Sequence, residues 1–208
     1  MQSVYVLGKA PSLTDHLKIT DLKKEITIGC NHLYRSGFIP SYYVVWDINF
    51  FNTCPNDFLD LDTKFIFPEH VGVYLLKTRQ IQRIKQLLIV KESSINFFKR
   101  TKFSTTVSFT KNSITSLAIP FAVSLNPKEI HVMGVESGLT ITNEHYHFYP
   151  EYDISEVIAK KLGVPHTPRT PHENLYNQKV WKHTRALIKN HQIKLVLYIK
   201  DKIVSDPI

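Results

Sequence analysis

Hydrophobic residues along the chain fall into short runs that end at turn-forming or acidic positions. The first run, residues 3–7, is β-branched and aromatic and ends at Gly8, which is typical of a buried parallel strand. Four similar runs follow, at 26–28, 42–46, 65–67 and 130–133, and a closing run lies at 193–199. This pattern predicts that the runs are strands of one sheet.

Helical spacing separates some of these runs. Apolar residues at 114, 117, 118, 121, 122 and 125 follow increments of three and four, and Pro120 interrupts them, so we expect a helix with a mild kink. Thr170, Pro171 and Glu173 form a start signal for a last helix. Its predicted inward face consists of Val180, Trp181, Thr184, Leu187 and Ile188. Ser12, three residues before Asp15, has the spacing of a helix cap.

The alternation of strands and helices predicts an α/β fold with a mainly parallel sheet flanked by helices. At 208 residues and 43% hydrophobic content, the chain suits a single Rossmann-like domain over 1–208. Two segments fit the alternation poorly. Residues 77–102 are basic and partly helical, and 138–170 are rich in His, Tyr and Pro. We expect both to form a lid or insertion over the site.

The amino-acid composition limits the classes of partner that the chain is expected to bind. The formal charge is +8, from 26 Lys and Arg against 18 Asp and Glu, which favours a nucleotide, a phosphosugar, nucleic acid or a lipid surface. The basic residues are dispersed, so a general solvating surface explains them as well. Cys30 and Cys54 have no metal-ligand spacing and are expected to be reduced. Without a membrane-length apolar run or a signal-peptide pattern, we expect a cytoplasmic protein, with association at the inner membrane surface and homo-oligomer formation left open.

Polar residues follow the first three predicted strands. The turn from Gly8 through Lys9 to Ser12 follows the first, and Asn31 and Asp47 follow the next two. Ligands of open α/β sheets bind outside the carboxyl ends of strands. We therefore predict that the turn holds a phosphate while Asn31 and Asp47 bind a base or a ribose hydroxyl. Either of the last two would serve equally well as the cap of a following turn.

Two later clusters extend this candidate site. Lys111, Asn112 and Ser113 offer a cation, an amide and a hydroxyl before the kinked helix, which suits a phosphate clamp. A plain helix cap also explains Ser113. Glu136 lies shortly after the run at 130–133 and adds an acidic group at another strand end. Asp60 and Asp62 form an Asp-x-Asp pattern, but they precede their strand and are interpreted as a surface loop.

The densest constellation begins at His145 and continues through Tyr146, His147 and Tyr149. An imidazole can take a proton from an acceptor hydroxyl, and phenols can hydrogen-bond a departing phosphate. A metal site built from the two histidines with Glu151 or Asp153 is the rival interpretation. The third interpretation is a loop whose histidines are solvated and whose aromatic residues pack on the domain.

The segments 4–13, 29–34 and 113–136 together resemble the bacterial CMP-sialic-acid-dependent sialyltransferases of the lipooligosaccharide type. They also resemble the related superfamily of motility-associated glycosyltransferases and archaeal pterin pyrophosphokinases. The resemblance spans most of residues 3–153 and the last helix and strand. It implies nucleotide contacts at Gly8, Ser12 and Asn31. Other family positions carry similar rather than identical residues here, at Asp47, Lys111, Ser113 and Glu136.

The resemblance implies an inverting transfer in which His147, or alternatively His145, deprotonates an acceptor hydroxyl. Tyr146 or Tyr149 would then steady the leaving phosphate. No metal is required when amides, Lys111 and phenols take the leaving-group charge, although magnesium stays open because relatives use it with a diphosphate. The expected partners are a CMP-linked sugar donor and a glycan or lipid-linked glycan acceptor. Two alternatives are a magnesium-dependent pyrophosphokinase of the pterin type and a non-catalytic nucleotide- or nucleic-acid-binding module.

Overall fold

A computed structural model describes residues 3–9, 12–90, 113–135, 171–199 and 202–206. Eight strands lie within these ranges. They are β1 (Val4–Leu7), β2 (Ile26–Cys30), β3 (Tyr42–Val44), β4 (Lys64–Pro68), β5 (Leu87–Val90), β6 (Glu129–Met133), β7 (Lys194–Ile199) and β8 (Lys202–Asp206). They form one sheet in the order β5-β4-β3-β2-β1-β6-β7-β8. Only β8 runs antiparallel to its neighbour, so the chain has the predicted α/β fold with a mostly parallel sheet.

The order of the strands reverses at β1. The chain adds β2 to β5 on one side of β1 and then crosses to add β6 on the other side. The carboxyl ends of β1 and β6 therefore meet where the connections leave in opposite directions. In open α/β sheets this kind of position is a ligand crevice. Because β1 to β7 are parallel, the carboxyl ends of these seven strands all lie along the same edge of the sheet.

Helices cover both faces of this sheet. They are α1 (Leu13–Ile19), α2 (Glu69–Lys77), α3 (Ile119–Ser124), which continues a π-helical turn (Ile114–Ala118), and α4 (Pro171–Asn190). Short 3-10 helices lie at Asn31–Ser36, Ile48–Asn52, Asn56–Asp60 and Ile81–Arg83. Leu117 and Trp181 bring α3 and α4 into one core cluster, and Leu13 and Leu75 bring α1 and α2 into the other. None of the described helices is long and apolar enough to cross a membrane.

Both predicted helices are confirmed. All five residues assigned to the inward face of α4 are buried. The irregularity near Pro120 takes the form of a π-helical turn just before it, in which Ile119 N donates to Ile114 O, five residues back. Proline has no N–H to donate to the carbonyl four residues earlier. A local widening of the helix at this point is the expected response.

The prediction of a lid over 77–102 is wrong for its first half. Residues up to 90 complete α2, form a 3-10 turn and supply the edge strand β5. Every residue of β5 is at least partly exposed, and basic residues lie on either side of it in the sequence. The sequence of this strand therefore resembles that of an exposed surface segment. The strand predicted at 42–46 ends at Val44, and α2 and β8 were not predicted. Residues 91–102 and 138–170 lie outside the described ranges.

The two cysteines are free thiols, as expected. Cys30 is buried in β2, and Cys54 is half-buried. Burial raises the pKa of both thiols, that of Cys54 to about 11. Neither side chain is therefore a reactive thiolate near neutral pH.

A polar network, here called the strand-face network, runs across β6 and β7. Lys194 Nζ donates to Glu129 Oε1 at 2.8 Å, and Glu129 Oε2 lies 2.9 Å from His131 Nε2. His131 Nδ1 lies 3.1 Å from the Tyr198 hydroxyl, and the Tyr5 ring stacks on the imidazole with centroids 4.4 Å apart. A carboxylate only accepts, so Nε2 carries a hydrogen, and Nδ1 of the neutral ring accepts from Tyr198. Each of these hydrogen-bonding side chains thus has a partner within the network.

Candidate functional site

Four residues meet along the carboxyl edge of the sheet and form what we call the strand-end cluster: Asn31, Trp46, His70 and Ser113. Ser113 Oγ donates to Asn31 Oδ1 at 2.8 Å and accepts from Trp46 N at 3.1 Å. His70 Nε2 lies 2.8 Å from Trp46 O. The hydrogen bonds join segments that follow β2, β3 and β4 to the start of the helix at Ser113. Residues up to 82 positions apart in the chain are therefore connected directly.

The backbone at Asn31 has an unusual conformation. Its φ is +51°, in the left-handed region that costs energy for most side chains and that asparagine tolerates better than most. The buried Tyr43 hydroxyl donates to Asn31 O at 2.7 Å and accepts from Tyr34 N at 2.7 Å. Non-glycine residues held in this region concentrate at ligand sites. These hydrogen bonds therefore fix the backbone at the end of β2, where the side chain of Asn31 contacts Ser113.

The direction of these bonds determines what Asn31 can offer. Because Ser113 Oγ accepts from Trp46 N and donates to Asn31, the amide oxygen of Asn31 is occupied. The Nδ2 group makes no hydrogen bond to any residue that the structure describes. Asn31 is half-buried, so its two N–H groups are available to an acceptor atom of a ligand. The helix cap predicted as an alternative for Ser113 is absent, since its hydroxyl makes no cap bond.

Asp47 confirms the alternative interpretation as a cap. Its Oδ1 accepts from Asn49 N at 2.9 Å at the start of the 3-10 helix Ile48–Asn52. The carboxylate is exposed, and its second oxygen has no hydrogen bond within the described ranges. Capping occupies only one oxygen, so Asp47 can still accept from a ligand hydroxyl one residue beyond Trp46.

Gly8 directly follows β1 and contacts the end of β6. Gly8 N donates to Met133 O at 2.8 Å, and a Cβ atom at Gly8 would lie 2.2 Å from Gly134 O. Gly134 itself has a φ of +68°, which favours glycine. The Gly134 carbonyl and the Val135 side chain therefore occupy the space beside Gly8, and only glycine fits there.

Ser12 does not cap α1 as its spacing to Asp15 predicted. Its backbone is already helical, and its side chain makes no cap bond. The Ser12 hydroxyl is buried and has no hydrogen-bond partner within the described part of the chain. An unsatisfied buried hydroxyl costs about 1–3 kcal/mol, so this atom is a candidate for contact with a ligand. Lys9, between Gly8 and Ser12, is half-buried.

Several predicted site residues lie outside the described residues. They are Lys111, Asn112, Glu136, His145, Tyr146, His147 and Tyr149. Their assigned roles stay predictions. Asp60, in contrast, is exposed and ion-paired with Arg83, and this hydrogen bond lowers the pKa of the carboxyl group. It lies before β4, at the opposite edge from the cluster, which confirms its interpretation as surface. Within the described ranges, no three His, Cys, Asp or Glu side chains are grouped as a metal site would require.

Sequence reasoning missed Trp46 and His70. His70 follows β4 by two residues, so the rule that selected Asn31 and Asp47 at strand ends would also have selected it. Trp46 joins the cluster through its backbone N–H and carbonyl oxygen, and no side-chain pattern in the sequence reveals such a role. Tyr43 looked like an ordinary strand residue, because the partner of its hydroxyl is set by the turn after β2.

Comparisons with protein-family models, with curated proteins and with solved structures found no match to this chain.

Proposed function

We propose that this protein is a nucleotide-sugar-dependent glycosyltransferase, sialyltransferase-like, built on a Rossmann-like domain. It would transfer a sugar, with inversion, from a CMP-sialic-acid type of donor to a glycan hydroxyl. The observation that carries the proposal is the hydrogen bond from Ser113 to Asn31. Two residues that were selected independently as nucleotide contacts are neighbours at the carboxyl edge, where ligands of such sheets bind.

Each described residue of the proposed site has a chemistry that suits a different part of the nucleotide. Asn31 presents N–H donors that suit a base or ribose oxygen, and the second Asp47 oxygen suits a ribose hydroxyl. The Gly8 turn with the unpartnered Ser12 hydroxyl lies at the strand reversal and suits the phosphate. Lys9, Lys111, Asn112 and Glu136 complete the proposed nucleotide site on the basis of sequence. The net charge of +8 would favour the approach of an anionic donor.

The proposed reaction forms a bond between an acceptor hydroxyl oxygen and the anomeric carbon. The bond from that carbon to the nucleotide phosphate breaks, and its electron pair leaves with the phosphate. The sequence-based candidates for the base are His147 and His145, with Tyr146 and Tyr149 as donors to the leaving phosphate. Hydrogen-bond donors aimed at the leaving group can supply this stabilisation without a metal, and magnesium stays open.

A thermal-shift panel of CMP, UDP, GDP, ADP and ATP, with and without magnesium, tests the nucleotide site. We expect a rise in the melting midpoint that is selective for CMP and independent of magnesium. Incubation with CMP-sialic acid should then release CMP slowly, with water as the acceptor. A response confined to ATP with magnesium would favour the pyrophosphokinase instead. If no nucleotide raises the midpoint, the proposal fails.

A further inference from the structure

The edge of the sheet at β8 leaves apolar side chains exposed to solvent. β8 is the last strand in the sheet order, and its residues Ile203 and Val204 are 60% and 40% exposed. Val204 pairs in register with Leu197, which belongs to the core cluster that contains residues of α4. Val204 therefore lies on the same face of the sheet as α4, and Ile203 lies on the opposite face. Because Val204 is exposed on that face, α4 does not cover β8 completely.

A groove of about 260 Å³ lies between α4 and the strands β7 and β8. The apolar residues that line it are Ala186, Ile188, Ile193 and Leu195, and the charged ones are Arg185, Lys189 and Asp206. Arg185 Nε lies 3.0 Å from Asp206 Oδ2, so the acidic group of the groove is already paired. The groove thus combines an apolar lining with a surplus of positive charge.

Lys182, Arg185 and Lys189 form a basic stripe on α4 beside this groove. Their spacing of three and four residues places them on one side of the helix, and all three are exposed. Lys182 and Lys189 make no hydrogen bond or ion pair with a residue in the described ranges. Three basic groups against the single acid Asp206 leave this region with a net charge of +2. The stripe, the groove and the exposed residues of β8 together form what we call the β8 surface.

We propose that the β8 surface binds membranes that contain anionic lipids. Exposed apolar side chains next to Lys and Arg suit the interface of a bilayer, where apolar groups contact the acyl chains and cations contact the phosphates. Ile203 and Val204 make the apolar contacts, and Lys182 and Lys189 make the ionic ones. The net charge of +8 favours several kinds of anionic partner, and this inference assigns a lipid surface to one edge of the sheet. It does not depend on the proposed glycosyl transfer.

Two other occupants fit the β8 surface less well. A nucleic acid would pair with the lysines but would leave Ile203 and Val204 exposed to water. In a symmetric dimer formed through β8, both copies use the same surface. The two basic stripes would then lie on the same face of the joined sheet, where they repel each other.

Sedimentation of the full chain with lipid vesicles tests this inference. Vesicles of phosphatidylcholine alone are compared with vesicles in which about one third of the lipid is phosphatidylglycerol. We expect the parent to bind only the anionic vesicles, and to bind them more weakly when salt rises from about 0.1 M to about 0.5 M, since salt screens the phosphates. A parent protein that does not bind the anionic vesicles overturns the inference. CMP binding has no part in this result, so the proposed function and this inference can fail separately.

Lys182→Gln combined with Lys189→Gln tests the basic stripe. Each lysine near an anionic membrane should strengthen binding about fivefold, so the double variant should bind about 25-fold more weakly. Lys77→Gln combined with Lys85→Gln is the matched control. It removes the same charge from exposed positions near β5, at the opposite end of the strand order, and should bind within about twofold of the parent. Equal weakening in the two double variants overturns the assignment of binding to the β8 surface.

Ile203→Ser tests the apolar contact. Leu88→Ser is its control, because Leu88 lies on the other edge strand, β5, and is 48% exposed. Ile203→Ser should weaken vesicle binding at least about fivefold, Leu88→Ser should leave it unchanged, and melting curves confirm that both variants fold. Unchanged vesicle binding in Ile203→Ser, with tighter binding of the parent to a DNA duplex, would overturn the inference in favour of a nucleic acid. A parent dimer in analytical ultracentrifugation that Ile203→Ser dissociates would overturn it in favour of a second copy.

Discussion

The strand-end cluster and the strand-face network are both polar groups on one sheet, and they differ in what they leave unsatisfied. The network is a chain of hydrogen bonds in which each side chain pairs with the next, in the order Lys194, Glu129, His131 and Tyr198. In the cluster, Ser113 accepts from Trp46 N and donates to the amide oxygen of Asn31, which leaves the Nδ2 group of Asn31 without a partner among the described residues. A closed set of hydrogen bonds stabilises the fold. An open set at a strand end is suited to a ligand.

The largest effect is expected from Ser113→Ala. Ser113 is 3% exposed, and its removal leaves the buried Trp46 N–H without an acceptor, which costs about 1–3 kcal/mol. Urea unfolding should show this loss, and calorimetry should show weaker CMP binding because Asn31 is no longer oriented. Ser124→Ala is the control, since that exposed hydroxyl bonds only Phe121 O. Equal losses of stability and of CMP affinity in the two variants would contradict the role assigned to Ser113 in the strand-end cluster.

His131→Phe tests the network in the same way. The ring can keep its stack on Tyr5, but the bonds to Glu129 and Tyr198 are lost. We expect the free energy of unfolding to fall by about 1–2 kcal/mol, measured by urea titration, with CMP affinity unchanged. A loss of CMP binding that matches the loss in Ser113→Ala would show that the two regions are not separate.

Asn31→Gly separates the backbone of the cluster from its amide. Glycine adopts a φ of +51° without strain, so the loss of stability, about 1 kcal/mol, should come from the Ser113 hydroxyl, which is left without its acceptor. CMP binding should weaken about tenfold, or about 1.4 kcal/mol, in calorimetry. Asn31→Ala is the comparison, and it should lose about 1 kcal/mol more stability than the glycine variant, because alanine is strained at this φ. Full CMP affinity in the glycine variant would argue against a ligand role for the amide.

Acid pH should weaken the network through two groups. Burial lowers the pKa of His131 from the ordinary 6.5. The unfolded chain therefore binds a proton before the folded one does, and stability falls as the pH drops below about 6.5. The Lys194 hydrogen bond lowers the pKa of Glu129 from 4.5. The stability that ionised Glu129 contributes is therefore present above about pH 4.5 and is lost in stronger acid.

The measurement is the melting midpoint at pH 7.5 and at pH 5.5, for the parent and for His131→Phe. The parent should lose more on acidification than the variant, because only the parent carries this imidazole. Tyr5, Tyr198, Glu129 and Lys194 surround the ring in both proteins, so their contributions largely cancel. An identical drop in the two proteins would exclude His131 as the source.

Asp47→Ala should have the smallest effect on stability. The exposed carboxylate caps a short 3-10 helix, so its loss should cost about 0.5–1 kcal/mol. Asp47→Asn keeps an oxygen for Asn49 N and should unfold like the parent. If Asp47 also binds a ribose hydroxyl, both variants should weaken CMP binding in calorimetry. Binding that is unchanged in both would leave Asp47 as a cap alone.

The sequence predicted the sheet more fully than the site. Strands at 26–28, 65–67 and 130–133 and the buried face of α4 were recognisable because continuous apolar runs and helical spacing are local signals. The edge strand β5 was missed because its residues are partly exposed and flanked by basic ones. At the site, Asn31 and Ser113 were selected by their positions beside predicted elements. His70 was missed although it follows the same rule.

Amino-acid order by itself determined where apolar runs occur, which residues follow strands and where helices begin and end. The tertiary structure decided the hydrogen-bond partners, since a partner 82 residues away leaves no trace in local spacing. It turned Ser113 from a helix cap into the residue that orients Asn31, and it left Ser12 without the cap bond that its spacing predicted. It also set which nitrogen of His70 carries the hydrogen, because the contact between α2 and the segment after β3 brings the Trp46 carbonyl oxygen to that ring.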